Sequence, residues 1–153
     1  MEAHQVGEEN FYLARWGFFP GGVGVAAVWA GGAARVLDLL AGIPITGEAK
    51  AVRIGRARTE LASAVALIRQ AGSALEARPA EPRPLATIVR AGVAAAVRRL
   101  LADARSVAGP AGLAFDEDLT RAIDDLFLYV SQQNADGDSL FLGQLHHDGT
   151  VTP

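Results

Sequence analysis

The side chains best suited to hold a metal ion lie near the C-terminal end of the chain, where His146 and His147 precede Asp148. Imidazole and carboxylate groups are zinc ligands, but adjacent histidines do not converge easily on one ion. The pair also lies beside Gly149 and close to the terminus, so we expect a solvated tail and no metal site. His4 is a lone histidine in a polar leader and is assigned no role.

Nucleophilic and dinucleotide-binding motifs are also missing. The chain contains no cysteine, which excludes a disulfide framework, a thiolate zinc site and a cysteine nucleophile. No triad pattern is present. The run Gly21-Gly22-Val23-Gly24 is close in letters to a dinucleotide-binding loop. It does not lie in a strand–turn–helix unit with a downstream acid for a ribose, so we do not interpret it as one.

A set of arginines is the remaining candidate for chemistry, because guanidinium groups bind the phosphates of CoA or of nucleic acid. Its members are Arg53, Arg56, Arg58, Arg90, Arg98, Arg99 and Arg105. Acidic side chains of a later helix are available to pair with some of them, namely Asp116, Glu117, Asp118, Asp124 and Asp125. Solvated faces and surface ion pairs, each contributing about 0–1 kcal/mol, are the ordinary interpretation. With a net charge of −3 and no interleaved aromatic residues, we expect no nucleic-acid partner.

The apolar spacing predicts four helices that would position these groups. The first runs from about Gly22 to Leu40 and is apolar almost all round, which is typical of a central helix or one covered by a partner. The second begins near Thr46 as N-cap. The third runs from about Leu85 to Val107, and Asp116 caps the fourth. Breaks are predicted near residues 42–46, 78–84 and 109–115, where glycine and proline cluster.

The predicted architecture is all-α. Short connections between four helices favour an antiparallel four-helix bundle over residues 22–135. Residues 1–21 form an extended segment in this prediction, with a short strand or extended stretch at 10–15, and residues 136–153 form a flexible tail. The uncharged stretch Trp16 to Ala34 is long enough to span a membrane, but its glycines, Pro20 and alanine-rich composition favour a core helix. The acidic leader is unlike a signal peptide, so we expect a cytoplasmic protein with no membrane partner.

The block from Phe11 to Leu40, FYLARWGFFPGGVGVAAVWAGGAARVLDLL, resembles a junction in a divergent bacterial branch of the acyl-CoA dehydrogenases. There the last strand of the middle β domain feeds a Gly/Ala-rich first helix of the C-terminal helical domain. The resemblance covers nearly the whole chain. It implies that the N-terminal domain and most of the middle domain are missing, and that residues 1–21 are a remnant of the latter.

The resemblance also implies candidate cofactor contacts. Gly109, Pro110 and Gly112 occupy the place of a glycine-rich turn near the flavin, where backbone N–H groups approach a phosphate. Gln133 aligns with the catalytic glutamate of many members, and an amide cannot act as a general base. No catalytic residue is therefore assigned. A helix-to-helix turn is the ordinary interpretation of the glycines.

Two functions follow as expectations. In the first, the chain is the helical part of an FAD-dependent acyl-CoA dehydrogenase-like protein. It would contribute oligomer contacts and part of the FAD and acyl-CoA site, and bind no FAD alone. In the second, it is a stand-alone helical bundle that serves interaction or small-ligand binding. We also expect a homo-oligomer or a complex with a chain that carries the missing domains, because the uncharged first helix would expose costly apolar surface in a monomer.

Overall fold

The computed structural model describes residues 7–8 and 10–147, and five α-helices make up 80% of these described residues. In chain order they are α1 (Phe18–Leu40), α2 (Glu48–Glu76), α3 (Arg83–Phe115), α4 (Glu117–Val130) and α5 (Ala135–His147). No strand occurs in this part of the chain. The prediction of an all-helical fold is therefore confirmed.

The segment before α1 forms turns, so the prediction of an extended stretch at residues 10–15 is wrong. The Arg15 guanidinium lies 4.5 Å from the centroid of the Tyr12 ring, three positions earlier in the chain. A helical turn brings side chains at this spacing together, whereas a strand directs them to opposite faces. Helix α1 begins at Phe18, four residues before the predicted start at Gly22. Pro20 lies in its first turn, where a proline does not break a helical hydrogen bond.

The connections between the helices fall close to the predicted breaks, at residues 41–47 and 77–82. Gly47, with φ of 88°, precedes α2, so Thr46 is not the N-cap. The backbone of α3 leaves helical geometry at Gly109 and then continues as a helix to Phe115. Asp116 is the N-cap of α4, as predicted, and its carboxylate accepts a hydrogen bond from Leu119 N at 3.0 Å.

The prediction of a flexible tail from residue 136 is wrong for the described part, because residues 135–147 form α5. The side-chain oxygen of Asn134 accepts a hydrogen bond from Gly137 N at 2.9 Å and so satisfies a free donor at the start of the helix. Two acidic residues in the first turn and His146 and His147 in the last turn suit the helix dipole. Asp148 and residues 149–153 lie outside the described residues.

The helices pack around α1 and α3. Helix α3 contacts each of the other four, and α1 contacts α2, α3 and α4, whereas α2 and α4 do not touch. Helix α5 contacts α3 alone. The α1–α3 pair therefore forms the centre of the molecule, with α2 on one side and α4 on the other.

A heptad pattern explains how α2 lies on the core. Its three buried residues, Ala57, Ala64 and Ala71, are seven positions apart. Partly buried Ile54, Leu61, Ile68 and Leu75 alternate with them at the complementary spacing. The pattern is the a/d seam of a coiled coil, and alanine at alternate layers lets α2 approach its neighbours closely.

Helix α1 buries one face only. The buried residues recur every three or four positions: Val23, Ala26, Trp29, Ala30, Ala33, Val36 and Leu40. On the opposite face Val28 is 56% exposed and Gly24 and Gly31 are exposed. Helix α1 therefore has apolar residues and glycines on the face that is exposed to solvent, where a surface helix normally carries polar side chains.

Candidate functional site

The predicted glycine turn lies at the bend in α3. Gly109 has φ of 65° and ψ of 179°, a conformation that is essentially restricted to glycine, and Pro110 then restarts the helix. The position of a Cβ on Gly112 would be 3.1 Å from Ala108 Cβ, so the chain passes close to itself here. The backbone conformation at Gly109 and the close approach at Gly112 therefore explain both glycines as requirements of a tight bend.

The surface beside this turn is acidic. Ala111 and Gly112 line a shallow, open depression whose remaining lining residues are Phe115, Asp116, Glu117 and Asp118. Three carboxylates oppose the approach of a phosphate group, although they suit the first turn of α4. The local electrostatics therefore favour a structural turn over a pyrophosphate site.

Gln133 is part of a polar network in the interior. It is 5% exposed, and Arg98 Nη1 donates a hydrogen bond to its side-chain oxygen at 2.7 Å. Its side-chain nitrogen donates to a carboxylate oxygen of Asp138 at 2.7 Å. Arg98 Nη2 also donates to the carbonyl oxygen of Val130 at 3.2 Å, near the end of α4. Both ends of the Gln133 amide are thus engaged in joining α3, α4 and α5.

The structure does not bring the predicted cofactor contacts together. Gln133 is bonded to Arg98, whereas Gly109 lies eleven residues farther along α3 in sequence. At about 1.5 Å per helical residue this separation is roughly 16 Å. Gly109, Pro110 and Gly112 lie together at the bend before the start of α4, whereas Gln133 lies after its other end.

Sequence reasoning did not identify a groove between α1 and α2. It encloses about 750 Å³, within the size range of ligand pockets. Its walls are mainly aliphatic and include Leu37, Leu61 and Val65. Two arginines three helical turns apart on α2, Arg58 and Arg69, lie along its edge.

The solvent-facing side of α1 carries Gly21, Gly24, Val28 and Gly31, which recur at intervals of three or four positions and which we call the outer row of α1. A Cβ added to any of its three glycines would meet no atom within 4 Å. No charged residue occurs in α1 before Arg35. The outer row is therefore a flat, uncharged strip of backbone and small side chains.

By length and composition α1 also satisfies the criterion for a membrane-spanning helix. The mean hydropathy of its most apolar 18-residue stretch is 1.5, and 39% of that stretch is buried within the molecule. A core helix of a water-soluble protein meets the same criterion. For metals, the described residues contain no group of three side chains able to hold an ion, and His4 lies outside them.

Comparison of the chain with protein-family models, with curated proteins and with solved structures finds no match. The resemblance to acyl-CoA dehydrogenases and the FAD site therefore stay predictions from the sequence.

Proposed function

We propose that this chain is a helical interaction module that self-associates through the outer row of α1. The observation that carries the proposal is that three helical glycines meet open space on an uncharged helix face. Glycine inside a helix is about 0.8–1.0 kcal/mol less favourable than alanine, so three of them destabilise an isolated helix appreciably.

The other glycines of α1 have partners within the chain. A Cβ on Gly32 would lie 2.9 Å from Leu126 Cδ1, and a Cβ on Gly22 would lie 3.5 Å from Arg90 Cδ. Close packing of α4 and α3 against α1 accounts for these two positions. Packing within the chain does not account for the glycines of the outer row, which supports an external contact.

A second copy of the chain is the partner that fits best. The outer row presents no charge, so a complementary surface must also be apolar, and small side chains permit a close approach of helix backbones. The row itself has both properties. Self-complementary pairing about a twofold axis is the commonest form of protein assembly.

The contacts between helices also support the predicted antiparallel arrangement for α2, α3 and α4. Arg53 pairs with Asp103 and Glu60 with Arg99, so later residues of α2 meet earlier residues of α3. In the same way Arg98 bonds Gln133 whereas Arg105 pairs with Asp124. In this arrangement α2 and α4 flank the outer row without covering it.

The test is the mass of the protein in water, measured by light scattering on a size-exclusion column over a range of concentrations. We expect a mass of at least twice the 16.0 kDa of one chain. The variants Gly24→Leu and Val28→Glu should shift the protein towards 16.0 kDa, because each disrupts a close apolar contact on the outer row. Circular dichroism verifies that both variants remain helical.

Gly55→Leu is the matched control. Gly55 lies inside α2, is exposed, and its added Cβ would also meet no atom within 4 Å, but it is outside the outer row. This variant should keep the assembled mass. A wild-type monomer at high micromolar concentration, or equal effects of Gly24→Leu and Gly55→Leu, would contradict the proposal. Partition into vesicles or a requirement for detergent would instead identify α1 as a membrane helix.

The acyl-CoA dehydrogenase hypothesis is tested separately by adding FAD to the purified chain and measuring its absorption after gel filtration. We expect no retained flavin, since Gly109 and Gln133 belong to different sites and Gly112 adjoins three carboxylates. Near-stoichiometric retention would show that the chain holds a flavin site by itself.

A further inference from the structure

A second pocket lies between the start of α1, the first turns of α3 and the start of α5. It encloses about 460 Å³. Its apolar lining includes Phe18, Phe19 and Phe141, and its cationic lining consists of Arg83 and Arg90. We call it the Arg90 pocket.

Arg90 is half-buried, and its Nε is fully buried without a hydrogen-bond acceptor among the described residues. Its guanidinium carbon lies 5.8 Å from the centroid of the Trp29 ring, and the Nε1 of Trp29 is likewise buried without an acceptor. A charged donor removed from water is unfavourable unless it is paired. A buried N–H donor of one pocket-lining residue, Arg90, therefore lacks an acceptor, and so does the indole of the adjacent Trp29.

Several other arginines of the molecule have partners that Arg90 lacks. Four of them form ion pairs with carboxylates, namely Arg53, Arg99, Arg105 and Arg121, and Arg98 is bonded to Gln133. Arg90 has no ion pair within 4.0 Å among the described residues. It is thus a guanidinium in a pocket without a counter-ion from this part of the chain.

Arg83 supplies a second cation that is held by aromatic rings. Its guanidinium carbon lies 3.8 Å from the centroid of Phe141 and 5.2 Å from that of Phe19. Cation–π contacts fix such a group while leaving its N–H donors free. Arg83 also forms no ion pair with a described residue.

One carboxylate, that of Asp138, lines the pocket. It accepts a hydrogen bond from Gln133 and forms no ion pair with either guanidinium. The side chains of the pocket therefore carry two positive charges and one negative charge. The start of α3, formed by Arg83 to Arg90, adds the positive end of a helix dipole.

We propose that the Arg90 pocket binds a small organic anion, a carboxylate or a phosphate ester. Its charged group pairs with Arg90 and Arg83, and its apolar part lies against the phenylalanine rings. Guanidinium groups are well suited to both kinds of anion because of their planar arrangement of donors. Gly21 lines this pocket and also belongs to the outer row of α1, whereas Arg83 and Arg90 lie on α3. Substitution of the arginines therefore tests anion binding without changing the outer row.

The probes are benzoate and phenyl phosphate, with benzyl alcohol as the neutral control. Binding is measured by the fluorescence of Trp29 in a Trp16→Phe background, because Trp29 is close to Arg90 and the chain has two tryptophans. The Nε–Hε resonance of Arg90, followed by NMR, provides an independent signal. We expect at least one anion to change both signals saturably and benzyl alcohol to bind more weakly.

Arg90→Met and Arg83→Met should each weaken anion binding by about tenfold or more, the effect expected for the loss of a charged hydrogen bond. Arg56→Met is the control, since Arg56 is exposed on α2 and lines none of the pockets described above. The proposal is wrong if neither anion shifts the Arg90 resonance of the wild-type chain. It is also wrong if benzyl alcohol binds equally well or if Arg90→Met retains full affinity.

Discussion

Substitution of a single glycine, Gly32→Ala, probes how closely α4 packs on α1. A Cβ at this position would lie 2.9 Å from Leu126 Cδ1 and 3.4 Å from Leu126 Cδ2. Carbon atoms normally meet at about 3.5–4.0 Å, so the Leu126 side chain must move. Leu126 is 5% exposed, which leaves it little room to do so.

Two opposing contributions determine how much Gly32→Ala changes the free energy of unfolding. Alanine stabilises a helix by roughly 0.5–1 kcal/mol relative to glycine. Overpacking of a filled core costs about 1–3 kcal/mol, towards the lower end when the end of a flexible side chain gives way. We therefore expect Gly32→Ala to lower the free energy of unfolding by about 0–2 kcal/mol.

Gly55→Ala is the reference, because it adds the same methyl group to an exposed helix position that meets no neighbour. It should raise the free energy of unfolding by roughly 0.5–1 kcal/mol. Both are measured by urea denaturation at equal protein concentration. In a Leu126→Ala background the penalty at Gly32 should disappear, which a double-mutant cycle detects. If Gly32→Ala stabilises the protein as much as Gly55→Ala does, α4 does not pack on α1 at this glycine.

Three further predictions concern the bend, an ion pair and the polar network. Gly109→Ala should destabilise the protein by about 1–3 kcal/mol, because the backbone conformation at this position disfavours a side chain even though an added Cβ would meet open space. An unchanged midpoint of thermal unfolding would contradict the bend at Gly109. The hydrogen bond from Arg99 lowers the pKa of Glu60 below the usual value for a glutamate, so the ion pair stabilises the fold above that usual value and is lost as the pH falls through the lowered pKa. Glu60→Gln should therefore cost up to about 1 kcal/mol at neutral pH and less in acid, and a loss that is independent of pH would refute this assignment. Gln133→Leu should destabilise the protein by about 1–3 kcal/mol, because Arg98 loses a buried acceptor, and unchanged urea unfolding would show that water replaces the amide.

The sequence predicted most of the helical structure because its local signals agree with the packing. Apolar spacing predicted α2 and α3 close to their observed positions, and Asp116 identified the start of α4. Within α4, Phe127 is 51% exposed although the neighbouring Leu126 is buried. A broad apolar stripe does not show which of its edges a neighbour covers.

Helix α5 was missed because its core contacts are few. It contains Gly137 and Gly143, has no strong apolar stripe and buries no residue. Its contacts join Asp138 to Gln133, just after α4, and Phe141 to Arg83 at the start of α3, so they depend on the tertiary fold. Capping chemistry was the available signal, since the helix has Asn134 before it and paired histidines at its end.

The Arg90 pocket was beyond sequence reasoning for a different reason. With 14 basic and 17 acidic residues, the composition permits every arginine to find a partner. Which ones do so depends on the face of α3 that each occupies. Arg99 faces Glu60 of α2, whereas Arg90 faces Trp29 of α1, where no charge is present.

The sparse attachment of α5 has a consequence for hydrogen exchange. A helix that buries no side chain and contacts only α3 opens at a lower free energy than the whole molecule, so its amide protons should exchange faster than those of α3. Opening would also withdraw Phe141 and Asp138 from the Arg90 pocket. A ligand that requires these residues binds only molecules in which α5 is docked on α3. Its measured affinity is therefore reduced by the fraction of molecules in which α5 is open. Saturation with such a ligand would slow exchange throughout α5, including residues that the ligand does not touch.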